Sequence, residues 1–179
     1  MTTWRQAVIS LGSNLGDRLA NLTEGFSELL RDDRLKLISA SGVYETKAQE
    51  KAGGGRDFYN AVVLLQTSLE PTKLVELMGR IEHRFGRLLD RKRRDGSRRL
   101  DLDLIYLGDL VCNRKTLIVP HPRLRRRNFV LAPACEIAPR FVDPTDGLTI
   151  AGLWRALRKE GAEEPERVAE LIPRGTDGN

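Results

Sequence analysis

Cysteine is scarce in this chain, with two residues among 179, Cys112 and Cys135. Both sit in apolar sequence and match no metal-ligand spacing. That argues against a disulfide scaffold or a zinc site and predicts buried free thiols in a reducing compartment. Long apolar runs are missing too, and no stretch approaches the roughly 20 residues a membrane helix needs. The opening MTTWRQAVISLG passes straight into a strand pattern without a leader-type apolar core. These absences together predict a cytoplasmic protein with no membrane partner. Aromatic residues make up only 6%, few for a sheet that stacks nucleic-acid bases. Neither the Gly-Lys-Ser/Thr of a phosphate-binding loop nor G-x-G-x-x-G occurs, so those classes of nucleotide enzyme are excluded. No internal repeat or dividing linker is visible.

What is present describes a globular chain: 40% hydrophobic and 31% charged residues. The length predicts a single domain spanning 1–179 that buries roughly 70% of its unfolded surface. A net charge of +5 implies an anionic partner. The basic residues crowd into 84–99 and 123–127, which reads either as a solvated face or as an anion site.

Residues 7–11 (AVISL) read as a buried strand, and Leu19, Leu22, Phe26, Leu29 and Leu30 recur at helical spacing after Asp17. A strand over 35–45 follows, then a glycine-containing loop over 47–57 and a strand over 58–67 (FYNAVVLLQT). Pro71 opens a helix striped by Leu74, Leu77, Met78, Ile81 and Phe85. A basic loop over 86–99 leads to a strand over 100–107. Beyond it lie a short segment at 117–119, a helix near 125–135 and a weak amphipathic segment over 148–157. A tail from about 174 is expected to be disordered. Strand–helix–strand–strand–helix–strand is the order of a ferredoxin-like split βαβ sandwich. The predicted class is therefore α+β, with additional C-terminal helical elements.

The strand RRLDLDLIYL carries the chemistry. Asp101, Asp103 and Ile105 share one face, while Leu100, Leu102 and Leu104 take the other. The two aspartate Cα atoms are then about 6.6 Å apart. Their charges at about 6 Å repel by roughly 3 kcal/mol at an effective dielectric of 20, and by well under 1 kcal/mol in water. An exposed strand tolerates that; a partly enclosed one needs a cation. Mg²⁺ suits the pair because it is a hard ion that takes one or two carboxylates and lets phosphates complete its shell. Paired carboxylates can also hold two such ions as a clamp for displacement at phosphorus. The other reading is a wet polar strand face. Arg98, Arg99 and the arginines of the preceding loop favour a polyphosphate site, where metal and guanidinium forks share the oxygens. His121, held between Pro120 and Pro122 and followed by Arg123 and Arg125 to Arg127, reads as a phosphate contact or as a structural histidine. His83 reads as surface.

The stretches SLGSNLGDR, YET, FYNAV, RIEHRFGR, RRLDLDLIYLG and VPHPRLRRRNFVLAPACEIAP are together specific. They make residues 8–139 resemble the 6-hydroxymethyl-7,8-dihydropterin pyrophosphokinases of folate biosynthesis. The resemblance implies a monomer that moves the β,γ-pyrophosphoryl group of ATP to the pterin hydroxymethyl oxygen and releases AMP. It implies Asp101 and Asp103 as ligands of two Mg²⁺ ions. It makes Arg87, Arg98, His121 and Arg127 nucleotide and phosphate contacts, with Arg87 and Arg98 also catalytic. Thr46, Phe58, Asn60 and Phe129 match the pterin pocket; Asn60 would read the ring's hydrogen-bonding edge and Phe129 would stack on it. Asn14 and Glu82 match supporting positions, Glu82 on the ATP side.

Three departures from that family pattern stand out. KAQEKAGGGRD replaces a proline-rich first loop, Asp95-Gly96-Ser97-Arg98 replaces an aromatic-Gly-Pro-Arg pattern, and Leu89 stands where a further arginine is common. Arg91 or Arg93 is the expected substitute for that arginine. The segments 53–55 and 88–97 are the expected lids. Rival readings are a nucleic-acid-binding module, a metal-dependent phosphohydrolase using the same aspartates, and a catalytically weakened paralogue. The paired aspartates would repel a nucleic-acid backbone, so no nucleic-acid partner is expected.

Overall fold

The computed structural model describes residues 3–47, 56–86 and 97–174. The strand β1 (Arg5–Ser13) is buried on both faces, with Ile9 and Leu11 turned to one layer and Val8 to the other. Helix α1 (Arg18–Leu30) starts where Asp17 accepts the Ala20 N–H at 3.0 Å, which satisfies one orphan donor of the first turn. Its Leu22, Phe26 and Leu29 are fully buried. Helix α2 (Pro71–Arg84) has proline at its first position, where the missing N–H costs nothing, and His83 and Arg84 at its carboxyl end.

The main sheet runs β5 (Asp101–Leu107), β1, β4 (Phe58–Thr67), β3 (Gly42–Thr46), β8 (Glu166–Glu170), with β2 (Leu35–Ala40) also on β4. Every pairing is antiparallel. This is the ferredoxin-like arrangement, with α1 and α2 packed on one face against Ile9, Leu11, Ala61, Val63, Leu102 and Leu104. The expected C-terminal helices form the third layer. α3 (Asn128–Ile137), entered through a 3₁₀ turn at Leu124–Arg126, and α4 (Ile150–Lys159) cover Val8, Val62, Leu64, Ile105 and Tyr106. α4 is capped by Thr149, whose hydroxyl accepts the Gly152 N–H at 3.1 Å.

Several expectations change. The strand expected over 35–45 is two, because Ser41 interrupts the ladder. Its N–H donates to the Val62 carbonyl and its hydroxyl accepts the Val62 N–H, each at 2.9 Å. The register also slips between Leu37 and Ser39. The segment at 117–119 is one arm of a hairpin, β6 (Cys112–Arg114) with β7 (Leu117–Val119). β8 was not expected at all, since E-R-V-A-E shows no buried alternation. It forms because β3 leaves an open edge and Gly42 leaves room: an added Cβ there would collide with the Arg167 side chain. Cys112 and Cys135 are free but half-buried, not fully buried. Among the described residues no helix is long and apolar enough to cross a membrane. The lids at 53–55 and 88–97 and the tail after 174 lie outside the described residues, apart from Ser97.

Candidate active site

Three adjacent strands bring the sequence-predicted residues onto one sheet face. Asn60 and Asp101 both pair with Gly12, from β4 and β5 respectively, and Asp103 pairs with Ser10. Phe58 and Asn60 lie at two-residue spacing in line with Val62 and Leu64, so they share the α3-side face with Asp101, Asp103 and Ile105. The expected division of the β5 side chains therefore holds. Gly12 has no side chain to fill the gap: a Cβ would lie 3.3 Å from Asn60 Oδ1 and 3.9 Å from Asp101 Cβ.

Each aspartate has its own guanidinium. Arg98 reaches Asp101 Oδ1 at 2.5 Å, and Arg127 reaches Asp103 Oδ2 at 2.7 Å. The like charges on β5 are thus compensated by arginines from two separate segments even without metal. Burial works against the Arg98 charge, but Asp101, Asp103 and Glu82 outweigh it and push its pKa up.

His121 is set by a bulge. Ile9 pairs with Leu104 and Val8 with Tyr106, which leaves Ile105 as the extra residue. The Ile105 carbonyl accepts the His121 N–H at 3.0 Å. Burial, then the Arg127 charge, lower the imidazole pKa below 6.5. The ring is therefore neutral near pH 7, and its 3.8 Å approach to Asp103 is not an ion pair. Nδ1 accepts the Arg123 N–H at 3.2 Å, which leaves the proton on Nε2, facing Asp103. Beside Asp103 and His121 opens a cleft of about 440 Å³ between α2 and the β6–β7 hairpin, lined by Val75, Met78, Thr116 and Ile118 among others. His83 is exposed, as expected, on its rim.

At the other end of the face, Asn60 is 3% exposed and its Nδ2 donates to Thr46 Oγ1 at 2.8 Å. Phe58 pairs with Thr46, and half-buried Phe129 sits on α3 with the Arg127 guanidinium 5.4 Å from its ring centre. Asn14 ties two segments together. Its Oδ1 accepts the Arg98 N–H at 2.6 Å, its N–H donates to the Arg98 carbonyl at 3.0 Å, and its Nδ2 donates to the Arg56 carbonyl at 3.4 Å. Glu82 lines the cleft while its Oε1 accepts the Leu102 N–H at 2.9 Å, closing part of the exposed edge of β5.

The donor set suits magnesium that arrives with phosphate. Among the described residues no three carboxylate, histidine or cysteine groups gather as a metal cage. Two hard carboxylates leave most of an octahedral shell to phosphate and water. Arg87, Leu89, Arg91 and Arg93 lie outside the described residues. In sequence Gly12 reads as a break after the strand over 7–11, yet β1 runs through it to Ser13 because it is paired on both sides. The hairpin residues Thr116 and Ile118 carry no functional signal in the sequence. Gly12 could have been found by its strand alternation with Ser10, but the hairpin's place beside β5 had no sequence signal.

A family model described as 7,8-dihydro-6-hydroxymethylpterin-pyrophosphokinase matches residues 8–139. A Synechocystis protein named 2-amino-4-hydroxy-6-hydroxymethyldihydropteridine pyrophosphokinase is 37% identical over 174 residues, covering 90% of this chain and 87% of its own. A Bacillus subtilis protein of the same name is 39% identical over 134 residues, covering 73% of this chain and 77% of its own. In fold, the chain is similar to a Plasmodium falciparum HPPK-DHPS crystal structure with pteroate, with a TM-score of 0.68 at 14% identity. That match covers 93% of this chain but 48% of the longer Plasmodium chain.

Proposed function

The chain belongs to the 7,8-dihydro-6-hydroxymethylpterin-pyrophosphokinase family, and on that premise we propose that it transfers pyrophosphate from ATP to 6-hydroxymethyl-7,8-dihydropterin in folate biosynthesis. The observation that carries the reading is the order of groups along one face. Thr46, Phe58, Asn60 and Phe129 stand at one end, Gly12 leaves a gap, Asp101 and Asp103 follow, and the 440 Å³ cleft opens beyond them. Two strand spacings, about 9.6 Å, separate Asn60 from Asp101. That spacing suits a pterin ring at one end and a polyphosphate at the other, with the nucleoside in the cleft.

In this reading Asn60 reads the ring's polar edge while Phe129 and Phe58 hold its faces. The hydroxymethyl oxygen attacks the β-phosphorus, the bond from that phosphorus to the α-phosphate oxygen breaks, and AMP leaves. Phosphoryl transfer depends on alignment and charge more than on covalent chemistry. Arg98, Arg127 and Arg87 grip phosphate oxygens, and neutral His121 donates from Nε2. Asp101 and Asp103 hold two Mg²⁺ ions delivered with the nucleotide. When bound, these ions neutralise phosphate charge and favour departure of the leaving group. We further assign the protein to the cytoplasm as a single-domain monomer that binds neither nucleic acid nor membrane. The free thiols Cys112 and Cys135 support a reducing compartment, and sedimentation at dimer mass would overturn the monomer.

The deciding experiment mixes the chain with ATP, Mg²⁺ and the pterin, beside Asp101→Ala and Asp103→Ala. AMP that forms only with pterin and is lost in both variants is the expected result. ADP, or phosphate released without pterin, would overturn the reading in favour of a hydrolase.

A further inference from the structure

Asp143 lies beyond the residues 8–139 matched by the family model, yet it is wired to the centre of the site. Its side chain is 2% exposed. It accepts from the Tyr106 hydroxyl at 3.0 Å, from Arg125 at 2.9 Å, and from the N–H and hydroxyl of Thr145 at 2.8 and 2.5 Å. Asp146 grips the same Arg125 guanidinium at 2.6 Å. Tyr106 belongs to β5, three residues after Asp103, and the bulge at Ile105 brings it onto the α3-side face. Burial and the Asp143 charge push the Tyr106 pKa far up, so the phenol stays a donor.

These contacts close a ring. From Asp103 the chain runs along β5 to Tyr106, whose hydroxyl meets Asp143. Asp143 holds Arg125, and two residues on Arg127 returns to Asp103 at 2.7 Å. His121 stands at the start of the same turn, where its carbonyl accepts the Leu124 N–H at 3.1 Å. A carboxylate this buried is costly unless it keeps its cation and hydrogen bonds. Movement of the turn Leu124–Arg126 would therefore unpair Asp143, which resists it.

We propose that Asp143 is a positioning residue for pyrophosphoryl transfer, fixing through Arg125 the turn that sets Arg127 and His121 against Asp103. The inference rests on the pyrophosphokinase reading, in which those groups meet the nucleotide phosphates. The Asp143 oxygens are engaged by Tyr106, Arg125 and Thr145, so in this proposal its removal acts on phosphate binding through the turn and not on the pterin.

The test measures affinity of the full chain for magnesium α,β-methylene-ATP, which cannot be cleaved at the bond that breaks, and separately for the pterin. Asp143→Asn, Tyr106→Phe and Arg125→Met are each made alone and with Arg127→Ala, and measured well below their melting midpoints. Tyr106→Phe removes a single hydroxyl and keeps the test available if the others fold poorly. Each single change is expected to weaken analogue binding about tenfold, the scale of one lost charge-assisted hydrogen bond, with pterin affinity held within about twofold. With Arg127→Ala present, the same changes are expected to add clearly less than they do alone, because only the part of their effect that passes through His121 remains. Lower melting midpoints with unchanged analogue affinity would overturn the proposal, and so would effects that add fully to Arg127→Ala. Failure of the pyrophosphokinase reading looks different: analogue affinity would still follow Arg127, but the unsubstituted chain would release no AMP with pterin.

Discussion

Asn60 and Asp101 stand in register on either side of Gly12, one strand spacing away in each direction. The absence of a side chain at Gly12 leaves the space between them open. Gly12→Ala would place a methyl 3.3 Å from Asn60 Oδ1. Accommodating it costs about 1–3 kcal/mol. The Michaelis constant for the pterin is expected to rise about tenfold, with a melting midpoint lower by a few degrees. Steady-state kinetics beside thermal denaturation check this, and unchanged pterin kinetics would contradict it.

Asn14 is 1% exposed, and both ends of its side-chain amide are in use. Asn14→Ala leaves the Arg98 N–H and the Arg56 carbonyl to find other partners, at a cost of about 2 kcal/mol. A melting midpoint lower by roughly 4–8 °C is expected. AMP formation should fall as well, because Arg98 is the partner of Asp101. A variant as stable and active as the parent would show that water replaces the clasp.

Gly25 on α1 faces Leu100, the residue before Asp101. An added Cβ would lie 2.6 Å from Leu100 Cδ2 and 2.8 Å from Cδ1. Alanine gains about 1 kcal/mol of helix propensity, but Leu100 is 2% exposed and cannot swing clear, so overpacking of roughly 1–3 kcal/mol opposes the gain. Net destabilisation is expected for Gly25→Ala by denaturant titration. A more stable variant would mean that the α1–β5 contact yields more easily than its packing suggests.

Tyr44 gives an alkaline signature. Burial, then its hydrogen bond to Glu136, push the phenol pKa up to about 12 from 10.0. The folded chain therefore keeps a proton that the unfolded chain loses first. Stability from this group is full below pH 10 and falls as pH rises toward about 12. Tyr106 contributes to the same slope, so Tyr44→Phe is expected to flatten it only in part. Phenolate absorbance during titration, with unfolding followed in parallel, checks the assignment. An unchanged slope would remove Tyr44 from the linkage.

The elements that carry the site were legible because they are locally encoded. β4 reads as ten residues of near-continuous apolar sequence, α1 announces itself with the Asp17 cap, and α2 with Pro71. The strand alternation that put Asp101 and Asp103 on one face needs nothing beyond the pleat. Less was visible wherever an element depends on a partner. Ser41 interrupts the β2–β3 strand through bonds to Val62, and β8 pairs with an edge that exists only after β3 has formed.

The chain by itself determined the βαββαβ order, the acidic strand and the run of basic residues around it, since propensity, capping and periodicity act over a few residues. Only the tertiary structure decided which arginine serves which aspartate, that Gly12 separates Asn60 from Asp101, and that Asp143 reaches Arg125 from beyond the family core. Those outcomes rest on strand register, on one bulge at Ile105 and on burial of a distant carboxylate. Apart from Arg98 and Asp101, which are three residues apart, they join residues far apart in sequence, and their energies come into being only when the sheet and both helical layers close on each other.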